Sequence, residues 1–431
     1  MLQEVFQKSA VFVAKKIVQK AMKSQLKITR VNQEIQRKFD KNKKYLLYIH
    51  IPFCHTFCPF CSFHKFKYDE DLAHKYFKSL RLELQKVHDE GFAFDSLYIG
   101  GGTTLINEPE LLQTITFAKQ LFEITEVSCE SDPNHIDPEK LKIFEGYIDR
   151  LSIGVQSFDD TILHKVLRYE KFGSGDVIEK KLKAMAKIFP NTNIDLIFNF
   201  PGQTKEMLVR DLQIAKNLGV SQITLYPLMN SNLTSATMYD AFGANTSDKE
   251  YAFYTIIQEQ MLDFEKNNAW SFSKNKTAFN DEYVGAHEEY IGVGSGAFSF
   301  LGGNLFVNAF DLEEYASLVS KRSHAIIAQS SFAQKDQLKY HFLTWLFNGT
   351  INIQNFEKTF GTVMKKSLKF ELAMLKLTKS IKIEDGVITT TAFGDYLALC
   401  MMKEFYSGMD TVRAMFRQNL FVHVKEGKKI Q

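Results

Sequence analysis

Short apolar runs alternate with longer segments of helical period through the middle of the chain. The six runs are Tyr45–Ile51, Ser96–Gly100, Glu126–Glu130, Arg150–Val155, Asn193–Phe198 and Ser221–Tyr226. The segments around them, in which apolar residues recur every three or four positions as in an amphipathic helix, are Asp71–Glu90, Glu108–Phe122, Pro138–Gly146, Asp160–Phe189, Lys205–Leu218 and Asp248–Phe264. Repeated strand-then-helix units with buried strands predict a parallel sheet. Six units are too few for a closed eight-fold barrel, so the pattern predicts an α/β fold with an open, partial (β/α)6 barrel.

The N-terminal part, residues 1–44, differs from the rest in charge. Seven apolar residues recur there at helical spacing: Val5, Phe6, Ala10, Val13, Ala14, Ile17 and Ala21. Twelve Lys and Arg stand against three acidic residues, a net charge of +9. We expect a basic amphipathic helix that packs on the main domain with its charged face in solvent. Two other roles for the charge stay open, binding of a ligand rich in phosphate or carboxylate groups and binding of an anionic membrane surface.

After residue 268 the alternation of strands and helices stops. Trp270–Asn280 is rich in Asn, Lys and Ser, which predicts a linker or an exposed loop. Tyr290–Phe300 is rich in glycine, and helical segments prevail from Asp311 onward, with one hairpin-like piece at Ile381–Thr391. The sequence therefore predicts a barrel domain over residues 45–268 and a smaller, mainly helical C-terminal domain over residues 269–431.

Composition argues against several classes of protein. A net charge of +3 over 431 residues gives no electrostatic reason to expect nucleic acid as a partner. The longest apolar run is well short of the roughly 20 residues of a transmembrane helix, so we expect no stable membrane insertion. The N-terminus lacks the apolar core and cleavage site of a signal peptide. Five cysteines, three of them clustered, do not form a disulfide framework, so we expect a reducing, cytoplasmic location.

The clustered cysteines are Cys54, Cys58 and Cys61, directly after the first apolar run. Thiolates this close together can hold one soft metal centre, and iron–sulfur clusters normally take four Cys ligands. Three ligands would leave one iron of a [4Fe–4S] cluster open to a substrate. The alternative is a structural Cys3His zinc site, because His64 follows Cys61 by three residues.

Polar and glycine residues stand at or near the ends of the next four strands. The second strand ends in Gly100-Gly-Gly-Thr-Thr104, where glycines allow the backbone to approach a ligand closely. Glu130 ends the third strand, Gln156 ends the fourth, Arg168 lies twelve residues further on, and Asp195 is inside the fifth. The acids and Gln156 suit ribose hydroxyls, and the planar fork of Arg168 suits a carboxylate. These residues predict a cofactor site; the alternative is an internal network of ion pairs, because a buried carboxylate needs a partner.

Six motifs make the stretch from about Tyr45 to Phe300 resemble the oxygen-independent coproporphyrinogen III oxidase family of radical S-adenosylmethionine (SAM) proteins. They are Tyr-x-His-Ile-Pro-Phe-Cys-x3-Cys-x2-Cys, Gly-Gly-Gly-Thr, Glu-x-Asp-Pro, Gly-Val-Gln-Ser-Phe, Ile-Asp-Leu-Ile and Gly-x-Gly-Ser-Gly-Ala-Phe-Ser. The resemblance implies a partial radical SAM barrel in which Cys54, Cys58 and Cys61 bind a [4Fe–4S] cluster whose open iron chelates SAM. It also implies one or two SAM molecules, contacted by Tyr48, Phe60, Gly101, Gly102, Thr103, Glu130, Gln156, Arg168, Asp195 and Phe298.

Departures from the family pattern bear on the reaction. The oxidases have a further Cys two residues after the third ligand, where this chain has Phe63, which argues against decarboxylation of coproporphyrinogen. The heme-chaperone branch has His-Asn-x2-Tyr-Trp before its glycine-rich motif, whereas this chain has Ala286-His-Glu-Glu-Tyr-Ile and an extension of about forty residues. A third branch, the radical SAM methyltransferases that open heme anaerobically, shares the Cys-x-Phe ending and carries an extension.

The leading hypothesis is a radical SAM enzyme of porphyrin or heme metabolism that cleaves SAM and acts on a tetrapyrrole. Its implied partners are the tetrapyrrole and a low-potential electron donor such as flavodoxin or ferredoxin. A heme chaperone and an anaerobic heme-degrading methyltransferase are the alternatives. For the chaperone, the candidate axial ligands are His50, His55, His64, His135 and His287.

Overall fold

The computed structural model describes residues 2–229, 231–244, 249–275 and 287–425, and the side chains of all of these except 2–5 and 418–425. The strands are β1 (Thr29–Arg30), β2 (Lys44–Ile51), β3 (Phe53–Cys54), β4 (Phe66–Lys67), β5 (Ala93–Gly101), β6 (Glu126–Ser131), β7 (Arg150–Gln156), β8 (Asn191–Phe198), β9 (Gln222–Pro227), β10 (Glu265–Lys266), β11 (Ser271–Ser273), β12 (Tyr290–Val293), β13 (Phe298–Leu301), β14 (Asn304–Asn308), β15 (Ile326–Ser331), β16 (Thr350–Asn352), β17 (Ile381–Glu384) and β18 (Val387–Thr390). The helices are α1 (Leu2–Gln25), α2 (Glu70–Asp89), α3 (Glu108–Leu121), α4 (Pro138–Leu141), α5 (Asp160–Lys165), α6 (Tyr169–Phe172), α7 (Gly175–Met185), α8 (Lys205–Asn217), α9 (Ser235–Phe242), α10 (Glu250–Gln260), α11 (Leu312–Lys321), α12 (Gln334–Phe347), α13 (Ile353–Phe360), α14 (Met364–Ser367), α15 (Lys369–Leu377) and α16 (Ala392–Lys425).

One open sheet of thirteen strands dominates the described residues, in the order β1-β15-β14-β13-β12-β2-β5-β6-β7-β8-β9-β11-β10. Its centre, from β12 to β9, is parallel throughout. The six predicted strands are confirmed as β2, β5, β6, β7, β8 and β9. The seventh parallel strand, β12, comes from the glycine-rich segment, which the sequence pattern did not identify as a strand. The α/β fold class with an open parallel sheet is therefore confirmed.

Alternation along the strands gives the sheet one apolar and one polar face. On β7, Leu151, Ile153 and Val155 are fully buried and alternate with Arg150 and Ser152. Successive side chains of a strand point to opposite faces. Arg150 and Ser152 therefore lie on the same face of the sheet as Gly154, which borders the cavity described below. The inside of this partial barrel is thus polar, unlike the packed apolar interior of a closed eight-stranded barrel.

Two expectations for the helices need correction. The stretch 160–189 is three short helices, α5, α6 and α7, because Leu167 and Gly173 take positive φ values of 58° and 91° and interrupt the helical path. Pro138–Gly146 contains only the single turn α4, followed by a 3-10 turn at Lys142–Phe144.

The prediction of a linker or exposed loop at Trp270–Asn280 is wrong for its first residues. Trp270 is fully buried, with its ring centroid 4.5 Å from that of Phe347 and 5.2 Å from that of Tyr226. The next three residues form β11, antiparallel to β9. The polar composition misled here because Asn268 uses its side chain to accept from the backbone N–H groups of Trp270 and Ser271. Residues 276–280 lie outside the described residues.

The basic N-terminal segment forms the long helix α1, which packs on α16. The packed face differs from the expected one. Val18 and Met22 are buried, whereas Phe6, Val13 and Ile17 are 42%, 41% and 45% exposed. No helix of the described residues is long and apolar enough to cross a membrane.

The C-terminal residues contribute strands to two sheets. Strands β12 to β15 extend the main sheet, and β16, β17 and β18 form a separate three-stranded sheet that contains the predicted hairpin. The domain division at residue 268 stays a prediction.

Candidate active site

A cavity of about 280 Å³ opens at the carboxyl ends of the parallel strands, the edge at which such sheets place their active sites. All thirteen residues singled out from the sequence line it: Tyr48, Cys54, Cys58, Phe60, Cys61, Gly101, Gly102, Thr103, Glu130, Gln156, Arg168, Asp195 and Phe298. They come from β2, the segment after it, β5 with the turn after it, β6, β7, the segment after β7, β8 and β13. The structure therefore brings together residues that are up to 250 positions apart in sequence.

The three clustered cysteines lie on a loop that is closed at its base. Strands β3 and β4 pair in parallel, and the Tyr68 N–H donates to the Cys54 carbonyl at 3.0 Å. A turn between Cys58 and Cys61, with the N–H of Cys61 3.2 Å from the Cys58 carbonyl, sets the spacing of the last two thiols. All three thiols are free, and Thr103 Oγ1 lies 3.7 Å from Cys54 Sγ.

The arrangement does not match a zinc site. Among the residues that the structure describes, no group of three or more His, Cys, Asp or Glu is placed to hold a single metal ion. His64 points its Nε2 at the Phe310 carbonyl, 2.9 Å away, and at Ser295 Oγ, 3.1 Å away. Nε2 of the candidate fourth ligand is therefore engaged by the protein, although its Nδ1 is buried without a partner. A larger inorganic cluster needs ligands that stand further apart than those of one ion.

The thiols differ in their electrostatic surroundings. Burial, together with the neighbouring Cys61, raises the pKa of Cys54 to about 11. Burial also opposes ionisation of Cys61, but the ammonium of Lys65, the backbone N–H of Phe63 and the charge of Arg168 together outweigh it, and the pKa of Cys61 is lowered. Lys65 is held in place because its Nζ donates to the Cys61 carbonyl at 2.7 Å. A positive charge beside a thiol favours the thiolate, the form that binds metal.

The glycine-rich turn after β5 is bonded to the cysteine segment through its backbone. The N–H of Gly102 donates to the Ile51 carbonyl at 2.8 Å, and the N–H of Thr103 donates to the Phe53 carbonyl at 2.7 Å. A Cβ at Gly102 would lie 2.4 Å from the Phe53 carbonyl oxygen, so only glycine allows this approach. The turn is thereby fixed beside the three thiols.

Glu130 projects from the end of β6 toward this turn. Its carboxylate accepts from the Tyr98 hydroxyl at 2.9 Å and from the Gly101 N–H at 3.1 Å. Burial raises the pKa of Glu130, and these two hydrogen bonds oppose that rise. Nearby, the Tyr48 hydroxyl lies 2.9 Å from Nδ1 of His50, whose burial lowers its pKa to about 4.

Arg168 and Gln156 approach the cavity from the segment after β7. Gln156 has a φ of 76°, in the left-handed region that a non-glycine residue rarely adopts and that clusters at functional sites. Arg168 donates from Nη1 to the Gly154 carbonyl at 2.5 Å, and its buried Nε has no hydrogen-bond partner. The Phe60 ring lies against the guanidinium, 5.6 Å from its carbon atom.

Asp195 is held by neutral neighbours on its own sheet. Its carboxylate accepts from Ser152 Oγ at 3.0 Å and from Asn193 Nδ2 at 2.8 Å. Ser152 belongs to β7 and Asn193 to β8, so the sheet itself orients this carboxylate at the cavity.

The opposite wall of the cavity was missed by sequence reasoning. Tyr406, Asp410 and Arg413 reach it from α16, more than 340 residues after the cysteines. Asp410 accepts from Ser62 Oγ at 2.9 Å and forms an ion pair with Arg413. The only signal was the charged pair itself, three residues apart in a helix that is otherwise largely apolar.

Residues 48–215 match the family model of the radical SAM superfamily. The chain therefore contains a radical SAM domain over these residues, and that superfamily uses a [4Fe–4S] cluster and SAM.

Its relatives lie among proteins of heme and porphyrin metabolism. The heme chaperone HemW of Bacillus subtilis strain 168 is 28% identical over 64% of this chain and 76% of the relative. The anaerobilin synthase of Escherichia coli O157:H7 is 28% identical over 46% of each chain. The structure of coproporphyrinogen III oxidase (HemN) from Escherichia coli superimposes with a TM-score of 0.70, at 22% identity, over 84% of this chain and 91% of that one. At that identity the match establishes the shared fold.

Proposed function

We propose that the chain binds a [4Fe–4S] cluster and SAM in this cavity and uses them to act on a tetrapyrrole. The observation that carries the proposal is the convergence of thirteen sequence-predicted residues, from eight separate segments, on one cavity. A chance assembly of three free thiols, a glycine turn and strand-end carboxylates at the functional edge of this fold would be an unusual coincidence.

Cys54, Cys58 and Cys61 would hold the cluster. Their thiols are free and border the cavity, and Lys65 favours the thiolate of Cys61. With one electron from a low-potential donor such as flavodoxin or ferredoxin, the cluster supplies reductive cleavage of SAM to methionine and a 5'-deoxyadenosyl radical.

The remaining residues of the set would bind SAM. Arg168, with a buried Nε that lacks a partner, suits the SAM carboxylate. Glu130, Gln156 and Asp195 suit the ribose hydroxyls and the ammonium group. Tyr48, Phe60, Gly101, Gly102, Thr103 and Phe298 would shape the pocket around the rest of the molecule. Whether one or two SAM molecules bind is part of the same proposal.

A tetrapyrrole is the substrate class that the relatives favour, since a heme chaperone and an anaerobilin synthase are among them. The second candidate function is that of a heme chaperone, favoured by the similarity to HemW over 76% of that relative. Some of its candidate axial histidines already form hydrogen bonds with other groups of the protein. His50 Nε2 donates to the His64 carbonyl at 3.0 Å, and His135 Nδ1 lies 2.7 Å from Asp132. A third candidate, a methyltransferase that opens heme anaerobically, is supported by the Cys-x-Phe ending at Phe63.

One experiment separates these functions. The anaerobically reconstituted, reduced protein is incubated with SAM and either heme or coproporphyrinogen III, and the products are read by mass spectrometry. We expect 5'-deoxyadenosine together with consumption of heme. Stoichiometric heme binding without consumption would favour the chaperone, and failure to cleave SAM under any condition would overturn the proposal.

A further inference from the structure

The cavity wall formed by α16 carries an arginine held between two aromatic rings. The guanidinium carbon of Arg413 lies 5.0 Å from the ring centroid of Phe63 and 5.5 Å from that of Phe298. Arg413 is 9% exposed and borders the cavity. Aromatic faces attract a guanidinium and restrict its orientation, so less freedom is lost when its planar fork binds a ligand.

Positive charge exceeds negative charge on this wall. Asp410 forms an ion pair with Arg413 and also accepts from Ser62. Lys65 borders the same cavity, and Arg417 follows one turn after Arg413 on α16. The pKa of Arg417 is lowered by burial and by the neighbouring charge of Arg413, even though Cys61 opposes this effect. On the cysteine loop and α16, the cavity lining thus carries two cations, Lys65 and Arg413, and one carboxylate, Asp410, a balance that favours an anionic ligand at this wall.

We propose, on the basis of the tetrapyrrole hypothesis above, that Arg413 binds a carboxylate of the substrate and that Phe63 and Phe298 position its guanidinium for that contact. Phe63 then has a role of its own in this chain: the ring supports a cation contributed by the C-terminal helix. The ligand group is a carboxylate such as a tetrapyrrole propionate, for which a planar bidentate donor is well matched.

SAM also has a carboxylate, but a different arginine is available for it. Arg168 lies on the wall formed by the segment after β7, beside Gly154 and Phe60. Its Nε is buried without a partner, whereas Arg413 is ion-paired with Asp410 and lies between Phe63 and Phe298. Two arginines from two walls fit two carboxylate-bearing ligands.

The test compares two porphyrins that differ only in their carboxylates. Mesoporphyrin IX and its dimethyl ester are titrated, in the same detergent, into the full-length, anaerobically reconstituted protein, and binding is followed by fluorescence quenching. Arg413→Gln should weaken binding of the diacid by about ten- to a hundredfold and have little effect on the diester. Phe63→Leu should reduce the preference for the diacid over the diester less than Arg413→Gln does. Arg413→Lys should keep part of that preference.

Arg210→Gln, which removes an exposed arginine of α8 away from the cavity, is the matched control and should leave both affinities unchanged. Equal losses for diacid and diester in Arg413→Gln would overturn the proposal, because they indicate a structural role. Loss of SAM affinity with unchanged porphyrin affinity would also overturn it and assign Arg413 to SAM. Binding of neither porphyrin by the unaltered protein would overturn the tetrapyrrole hypothesis along with it.

Discussion

Arg168 and Glu130 are charged residues that the protein holds with neutral groups. Arg168 donates to a backbone carbonyl, and Glu130 accepts from a tyrosine hydroxyl and a backbone N–H. Burying a charge without an opposite charge is costly, and hydrogen bonds recover only part of that cost. A ligand of opposite charge would recover more. These two residues therefore have the physical properties of ligand-binding groups rather than of a structural ion pair.

Removing the Arg168 side chain should weaken SAM binding. We expect Arg168→Ala to lower the affinity of the anaerobic protein for SAM by about ten- to a hundredfold, because one charge-assisted hydrogen bond contributes roughly 1.5–3 kcal/mol. Equilibrium dialysis with labelled SAM measures it. The exposed Arg210→Ala variant serves as the control for loss of one positive charge. An unchanged affinity in Arg168→Ala would exclude the proposed contact with the SAM carboxylate.

Substitution of the clustered cysteines should separate metal ligands from core cysteines. The reconstituted protein should hold about four irons and four sulfides per chain, and Cys54→Ala, Cys58→Ala or Cys61→Ala should abolish the cluster. Cys129 and Cys400 are buried outside the cavity lining, so their Ala variants should keep it. Iron and sulfide analysis with visible absorbance is the measurement. Tight zinc without iron–sulfur absorbance would contradict the cluster.

At the scale of elements, α8 holds the segment that presents Gln156 and Arg168. Asp211 of α8 accepts from the Ser157 hydroxyl at 2.7 Å and from the Phe158 N–H at 2.8 Å. Both donors follow Gln156 directly, at the point where β7 ends. Through the buried carboxyl group of Asp211, α8 thus fixes the start of the segment that follows β7 and lines the cavity.

The burial of Asp211 predicts a pH-dependent stability. Burial raises the pKa of Asp211 to about 7 from its ordinary value of 3.8. Between these values the unfolded chain releases the proton that the folded chain retains, so this group's contribution to stability falls as pH rises from about 4 to 7. Asp211→Asn cannot ionise; its amide oxygen can still accept from the Phe158 N–H, and its amide nitrogen can donate to the Ser157 hydroxyl oxygen. It should be more stable than the parent by at most about 4 kcal/mol above pH 7, with no advantage below pH 4.

Urea unfolding of both proteins at pH 4, 5.5 and 8 measures this difference. A conservative change at an exposed acid, Asp176→Asn on α7, is the control and should give no such trend. A constant difference between Asp211→Asn and the parent at all three pH values would contradict the raised pKa.

At the scale of the whole molecule, the first and last parts of the chain meet on one side of the cavity. The loop of clustered cysteines contacts α16 through Ser62 and Asp410, which are 348 residues apart. The same helix packs against α1, where Gln19 Nε2 donates to Glu404 at 2.8 Å. The N-terminal helix therefore supports the wall that carries Arg413, and its influence on the cavity is exerted through α16.

The presence of Phe63 in this wall predicts which reaction the protein does not catalyse. Phe63 cannot ligate metal or transfer hydrogen as the additional cysteine of the oxidases could, and it packs on Arg413 instead. We expect the reduced protein to cleave SAM but to form little or no protoporphyrinogen IX from coproporphyrinogen III. Anaerobic incubation followed by chromatography measures both products, with the Escherichia coli oxidase as the positive control. Robust formation of protoporphyrinogen IX would place the protein with the oxidases.

The sequence by itself determined the features that depend on local spacing and chain order. Short apolar runs between helical segments predicted six strands of the parallel sheet, and parallel order places their carboxyl ends at one edge. Cys54, Glu130 and Asp195 could therefore be assigned to one site without coordinates, and the structure brings them to one cavity.

Only the tertiary structure decided the features that depend on distant contacts. Periodicity indicates that α1 has an apolar face but not which side a partner covers, and Val18 rather than Ile17 is buried because α16 lies there. Local composition could not reveal that Trp270 is a core residue, since its neighbours Phe347 and Tyr226 are remote in sequence. The wall with Arg413 has the same origin: it exists because the folded chain returns α16 to the cysteine loop, and no short-range pattern encodes that contact.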